Sequence, residues 1–214
     1  MAVWRASVFL GLVLAFCSQA NAQFNAPHDH ATISGSKEAE IESLAMNLDG
    51  LIKVCSAMAV RGLSDDKSIR RPEKYATDNG FLRFFDQPPA ELMAAANPQY
   101  GPARFAQWFD PHAMIYIVVY ENEPQCRALV SRSEWANEIR PALFRLIQID
   151  NFWKSSEIDT KIDTPNGSLL RSVFLSEAGP TVQPMVSITA NSSASNEGQT
   201  QLVVAVSMIS KGEK

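Results

Sequence analysis

Residues 114–130 read MIYIVVYENEPQCRALV, and this stretch decides the fold. Met114–Tyr120 consists of β-branched, aromatic and long aliphatic residues, which suit a pleated and buried surface. Residues 121–125 carry Glu121, Glu123 and Pro124 and make a five-residue turn, and residues 126–130 return as a second strand. The pair is a hairpin. Side chains alternate along a strand, so Cys126, Ala128 and Val130 share one face, the face that a helix should cover.

That helix lies upstream. Ser36 offers an N-cap, and Glu38 and Glu40 follow near the positive end of a helix dipole. Ile41, Leu44, Leu48, Leu51, Ile52, Cys55, Met58 and Ala59 recur at helical spacing, while Glu42, Asn47, Asp49 and Lys53 fall off that stripe. Gly62 suits the left-handed position after the last turn. One amphipathic helix is therefore predicted over Lys37–Arg61, with Cys55 facing inward. Residues 63–109 read as irregular cover over one side of the core. Short helices are expected at 72–78, stopped by Asn79-Gly80, and at 89–96, stopped by Asn97-Pro98. Phe81, Phe84 and Phe85 need burial.

Beyond the hairpin, Ser131-Arg132-Ser133-Glu134 is a capping-box pattern that predicts a second helix. Trp135, Ile139, Leu143, Leu146 and Ile147 would form its apolar stripe, with a kink at Pro141. Ile158 and Ile162 suggest a weak edge strand, followed by a turn at Pro165-Asn166-Gly167. Residues 169–176, 182–190 and 200–210 are further strands. The last is apolar on both faces and so belongs in the middle of a sheet. No internal repeat is visible. The expected class is α+β: an antiparallel sheet of about five strands, with a long N-terminal helix and a second helix on one face. The element order is similar to that of profilin-like and roadblock-like domains, and element order alone does not carry function.

The N-terminus reads as an export signal. Arg5 gives a positive start, residues 6–16 are an apolar run, and Ala20-Asn21-Ala22 supplies the small residues of a cleavage site. The run is shorter than the ~20 residues that span a bilayer. Phe16 precedes Cys17, where a lipoprotein signal would carry Gly, Ala or Ser. Residues 1–22 are thus a signal peptide, 23–35 a flexible leader, and 36–214 a single domain. Removing 22 of 214 residues leaves enough chain for one sizeable core. The net charge of −4 becomes −5 when Arg5 leaves, which gives no basic face for nucleic acid and no attraction to anionic membranes after cleavage. The expected location is periplasmic or secreted. Only Cys55 and Cys126 then remain, and in an oxidising compartment one disulfide is the economical reading. Two separate buried thiols are the alternative.

A long helix carrying an inward cysteine, the pair Gly80-Phe81, and a second cysteine, Cys126, opening a strand after a hairpin turn resemble small exported proteins of proteobacteria. The resemblance spans residues 37–147. It implies a periplasmic location and a paired disulfide, and it brings no activity or catalytic residue.

Candidate chemistry is sparse. His28-Asp29-His30 could contribute two imidazoles to a metal, but no third or fourth ligand accompanies them and a solvated leader is the simpler reading. Asp110 and His112 could form a general-base pair, although Asp110-Pro111 equally starts a turn. There is no G-x-S-x-G, H-E-x-x-H, Walker or G-x-G-x-x-G motif and no cofactor signature. The sequons at Asn166 and Asn191 count only in a eukaryotic secretory pathway. The expected function is that of a non-enzymatic soluble exported protein: a protein-interaction module, or an inhibitor or immunity-type module. Its partner would be another exported or periplasmic protein. The alternative is a hydrolase of unfamiliar type using His112 and Asp110.

Overall fold

Ser36 starts the first helix as its sequence requires. Its Oγ accepts the Ala39 N–H at 3.3 Å and its carbonyl accepts the Glu40 N–H at 3.1 Å. This helix, α1, spans Lys37–Arg61. The computed structural model describes residues 36–61, 77–94, 96, 98–121, 125–133, 135, 138–149, 152–164, 167–176, 182–191 and 200–210. The expected signal peptide, the expected leader with His28 and His30, Gly62 and most of the expected 72–78 helix lie outside these residues. The apolar stripe of α1 is realised: Leu44, Leu48, Leu51, Ile52 and Cys55 are buried in the main core.

Residues 63–109 are more regular than expected. They contribute strand β1 (Leu82–Phe84), helix α2 (Ala90–Ala94), a turn of 3-10 helix (Pro98–Tyr100) and strand β2 (Ala103–Trp108). The hairpin follows as β3 (Met114–Tyr120) and β4 (Gln125–Ser131), so Gln125 belongs to the strand and not to the turn. After α3 (Ile139–Ile149) come β5 (Trp153–Thr164), β6 (Gly167–Ser176), β7 (Val182–Asn191) and β8 (Thr200–Ser210). Among the described residues, eight strands form one antiparallel sheet in the order β1-β2-β3-β4-β8-β7-β6-β5. The class is α+β as expected, with a sheet larger than about five strands. β8 is central, between β4 and β7, and its two-sided apolar pattern follows from that.

The expected start of the second helix and its kink are corrected. The second helix does not open at Ser131–Glu134, because Ser131 ends β4 and the β4–β8 register shifts there. Gln201 of β8 instead clamps Ser133: its Oε1 accepts the Ser133 N–H at 3.0 Å, and its Nε2 donates to the Ser133 carbonyl at 2.9 Å. The helix starts eight residues after Ser131. Pro141 therefore falls in its first turn, where no intrahelical hydrogen bond is lost, and the basis for a kink disappears. The two long helices share one face, as expected. α1 and α3 cover one side of the sheet, while Leu92 of α2 packs with Tyr116, Val118, Tyr120 and Leu129 on the other.

Cys126, Ala128 and Val130 do face the helix layer. Cys55 and Cys126 form a disulfide with a Cα–Cα distance of 5.5 Å, tying α1 to β4 across 71 residues of chain. Among the described residues no helix is long and apolar enough to cross a membrane.

Candidate functional site

A hydrogen-bonded surface region lies where α1 meets the β2–β3 connection. Asn47 of α1 is its keystone. Its Nδ2 donates to the Phe109 carbonyl at 3.1 Å and to Asp110 Oδ2 at 2.6 Å, while its Oδ1 accepts the Trp108 indole N–H at 2.6 Å. Asp110 Oδ1 accepts the His112 backbone N–H at 2.7 Å, closing an Asx-type turn around Pro111. One amide and one carboxylate thus fix the conformation of residues 108–112.

This network presents aromatic side chains. The Phe109 N–H donates to the Phe81 carbonyl at 2.9 Å, which extends the β1–β2 ladder by one pair beyond Leu82 and Trp108. Gly80, with φ of 75°, makes the turn that brings Phe81 into this register, a conformation natural to glycine. The Phe81 ring stacks on Trp108 at 6.1 Å with an interplanar angle of 19°. Trp108 is buried, whereas Phe81 is 46 % and Phe109 44 % exposed. Of the three phenylalanines expected to need burial, Phe84 and Phe85 are partly covered on opposite faces of the sheet and Phe81 remains at the surface. Scattered apolar side chains on a surface are ordinary, but two opposed phenylalanines fixed by a hydrogen-bonded frame form a preorganised aromatic patch.

The same region holds the histidine considered for general-base work. Asp110 spends its oxygens on the His112 backbone and on Asn47, and does not orient the ring. The acid nearest the imidazole is Glu40, with Oε2 4.0 Å from Nδ1. Glu40 Oε2 also accepts the Trp135 indole N–H at 2.9 Å, and Lys37 lies 4.5 Å over the Trp135 ring. Among the described residues no serine, threonine or cysteine hydrogen-bonds the His112 ring. What the arrangement does chemically is hold a loop in one shape.

Cys55 and Cys126 are brought together as a structural staple inside the core. His28 and His30 lie outside the described residues, and among those described no group of three or more His, Cys, Asp or Glu side chains is placed to hold a metal ion. Sequence reasoning set Asn47 off the apolar stripe and expected Phe81 to be buried, and read neither as part of a site. The signal for Asn47 was present: Glu40, Leu44, Asn47 and Leu51 recur at intervals of four, three and four, so both polar residues lie on the row of two core leucines. Comparison with family models, curated proteins and solved structures finds no match.

Proposed function

We propose that this protein is a non-enzymatic exported binding module that engages another exported protein through the aromatic patch of Phe81 and Phe109. The observation that carries this reading is the combination of exposure and rigidity. Both rings face solvent, and their backbones are locked by Asn47, Trp108 and Asp110, so little conformational entropy is lost when a partner covers them. Aromatic anchors on a rigid support are the usual energetic centre of a protein interface. An inhibitor or immunity-type role fits the same surface, since occluding a partner needs affinity and no turnover. The disulfide and the export signal support action in the periplasm or outside the cell.

The test is affinity capture from periplasmic extract with the wild-type chain, with Phe81→Ser/Phe109→Ser, and with Met93→Ser/Phe152→Ser. Met93 and Phe152 are equally exposed and lie outside the Asn47 frame. The wild type and the second double variant should retain one stoichiometric partner, and the first should lose it by at least tenfold, roughly the effect of removing one interface anchor. Undiminished capture by Phe81→Ser/Phe109→Ser, or no partner for any chain, refutes the proposal.

A further inference from the structure

The turn that enters β1 carries a reactive pair of residues. Thr77 and Asp78 are helical, and Asn79-Gly80 forms the turn that ends this helix. The Gly80 N–H donates to the Thr77 carbonyl at 3.0 Å, and Gly80 adopts φ of 75°. All four residues are exposed, and a Cβ built at Gly80 meets nothing within 4 Å. The left-handed backbone calls for glycine here, and packing does not.

Asparagine is a labile residue, and glycine after it removes the side chain that would shield the next main-chain nitrogen. Asparagine occurs among the described residues at 47, 79 and 191. Asn47 lies within α1 with its amide held by three hydrogen bonds, and Asn191 ends β7 and precedes serine. Of these three, Asn79 is the one that is exposed and precedes glycine. Its place matters because Phe81 follows directly. The Phe81 carbonyl accepts the Phe109 N–H at 2.9 Å, and its ring stacks on Trp108.

We propose that Asn79 is a site of spontaneous deamidation and isomerisation, and that its isoaspartyl product pulls Phe81 out of register with Phe109. The Gly80 nitrogen attacks Asn79 Cγ and a nitrogen–carbon bond forms. The side-chain nitrogen leaves as ammonia, taking up the proton from the Gly80 N–H, and a five-membered succinimide remains. Water then opens the ring at either carbonyl, giving aspartate or isoaspartate with no change of oxidation state. The Thr77–Gly80 hydrogen bond must open first, which the exposed turn allows. In isoaspartate the Cβ joins the main chain, so the path from Asp78 to Phe81 is one atom longer than the turn was built for.

The test stores the full chain in mildly alkaline and, in parallel, mildly acidic buffer, with Asn79→Gln beside the wild type. Acid slows the attack because the Gly80 nitrogen must lose its proton, and glutamine must close a less favourable six-membered ring. In alkali the wild-type tryptic peptide of residues 75–83 should gain about 1 Da, as NH is replaced by O, and split into two species of equal mass. The same sample should unfold at a Tm lower by roughly 2–4 °C, the shift that losing one hydrogen bond brings in a chain of this size. The acid-stored wild type and both Asn79→Gln samples should keep their mass at residues 75–83 and their Tm. A wild-type peptide that gains no mass in alkali overturns the proposal. So does a mass gain with unchanged Tm, or an equal loss of Tm in Asn79→Gln. Neither readout involves a partner, so the result is independent of the capture experiment.

Discussion

Asn47 illustrates how one side chain couples a helix to a loop. Its amide engages the Trp108 indole, the Phe109 carbonyl and the Asp110 carboxylate, three groups contributed by consecutive residues of the opposite element. Asn47→Ala leaves a buried indole N–H and a carboxylate without their partner, so it should cost about 2–4 kcal/mol in urea unfolding. Asn47→Asp keeps the acceptor for Trp108 but sets a second carboxylate against Asp110, and should be destabilising at neutral pH. If the aromatic patch is the binding surface, Asn47→Ala should also weaken partner capture while the fold survives. Gly80 is a smaller case: with φ at 75°, Gly80→Ala should lower stability by about 1 kcal/mol even though a Cβ there meets nothing within 4 Å.

At the scale of elements, the two edges of the sheet are managed differently. β1 is only three residues long, while β5 runs for twelve and is interrupted by register shifts on both sides of Glu157. Asp159 adopts φ of 51°, pairs with Arg140 of α3, and exchanges hydrogen bonds with Ser172 of β6. Such bulges, together with the alternating charges of Lys154, Glu157, Lys161 and Asp163, discourage pairing with another sheet. Glu157 is gripped by Arg171 through three contacts of 2.8–3.1 Å, and these hydrogen bonds hold its carboxyl below the usual value against a smaller opposing effect of burial. A lowered carboxyl in the folded state contributes stability above the unfolded value of ~4.3, and that contribution disappears as pH falls through the folded value. Arg171→Gln should therefore cost about 0.5–1.5 kcal/mol at pH 7 and almost nothing at pH 2–3, measured by urea unfolding at both.

The whole molecule repeats one plan. A helix followed by a four-strand antiparallel meander occurs twice, as α1 with β1–β4 and as α3 with β5–β8, and the halves join where their last strands, β4 and β8, pair. The helices pack on the same face and against each other, so both halves share one core. The disulfide lies within the first half, next to the join, because Cys126 is directly opposite Val206 of β8. Closing a loop of about 70 residues restricts the unfolded chain, so Cys55→Ser or Cys126→Ser should each cost about 2–5 kcal/mol. The double variant should cost about the same as either single one, since both remove the same bridge. Thiol titration of the denatured, unreduced mature chain should find no reactive cysteine. Amide exchange should be slowest in β4 and β8, the two middle strands of the sheet, and faster in β1 and around Asp159.

What the sequence determined by itself was carried by local pattern. The α1 stripe, the 114–130 hairpin, the central place of residues 200–210, and the two cysteines facing each other all follow from periodicities of 3.6 and 2. Tertiary structure decided what depends on partners distant in the chain. β1 and β2 are short and carry Arg83, Arg104 and Gln107, so only the pairing of β2 with β3, and of β1 with β2, makes strands of them. The capping-box pattern at Ser131 is locally sound, but Ser131 is taken up in β4 and Gln201, sixty-eight residues away from Ser133, clamps the Ser133 backbone. The two-fold plan leaves no trace in the sequence, because a fold fixes which positions are buried and leaves open which apolar residue fills each one. Asn47 was hidden for the same reason: a polar residue reveals its role only once the groups that face it are known.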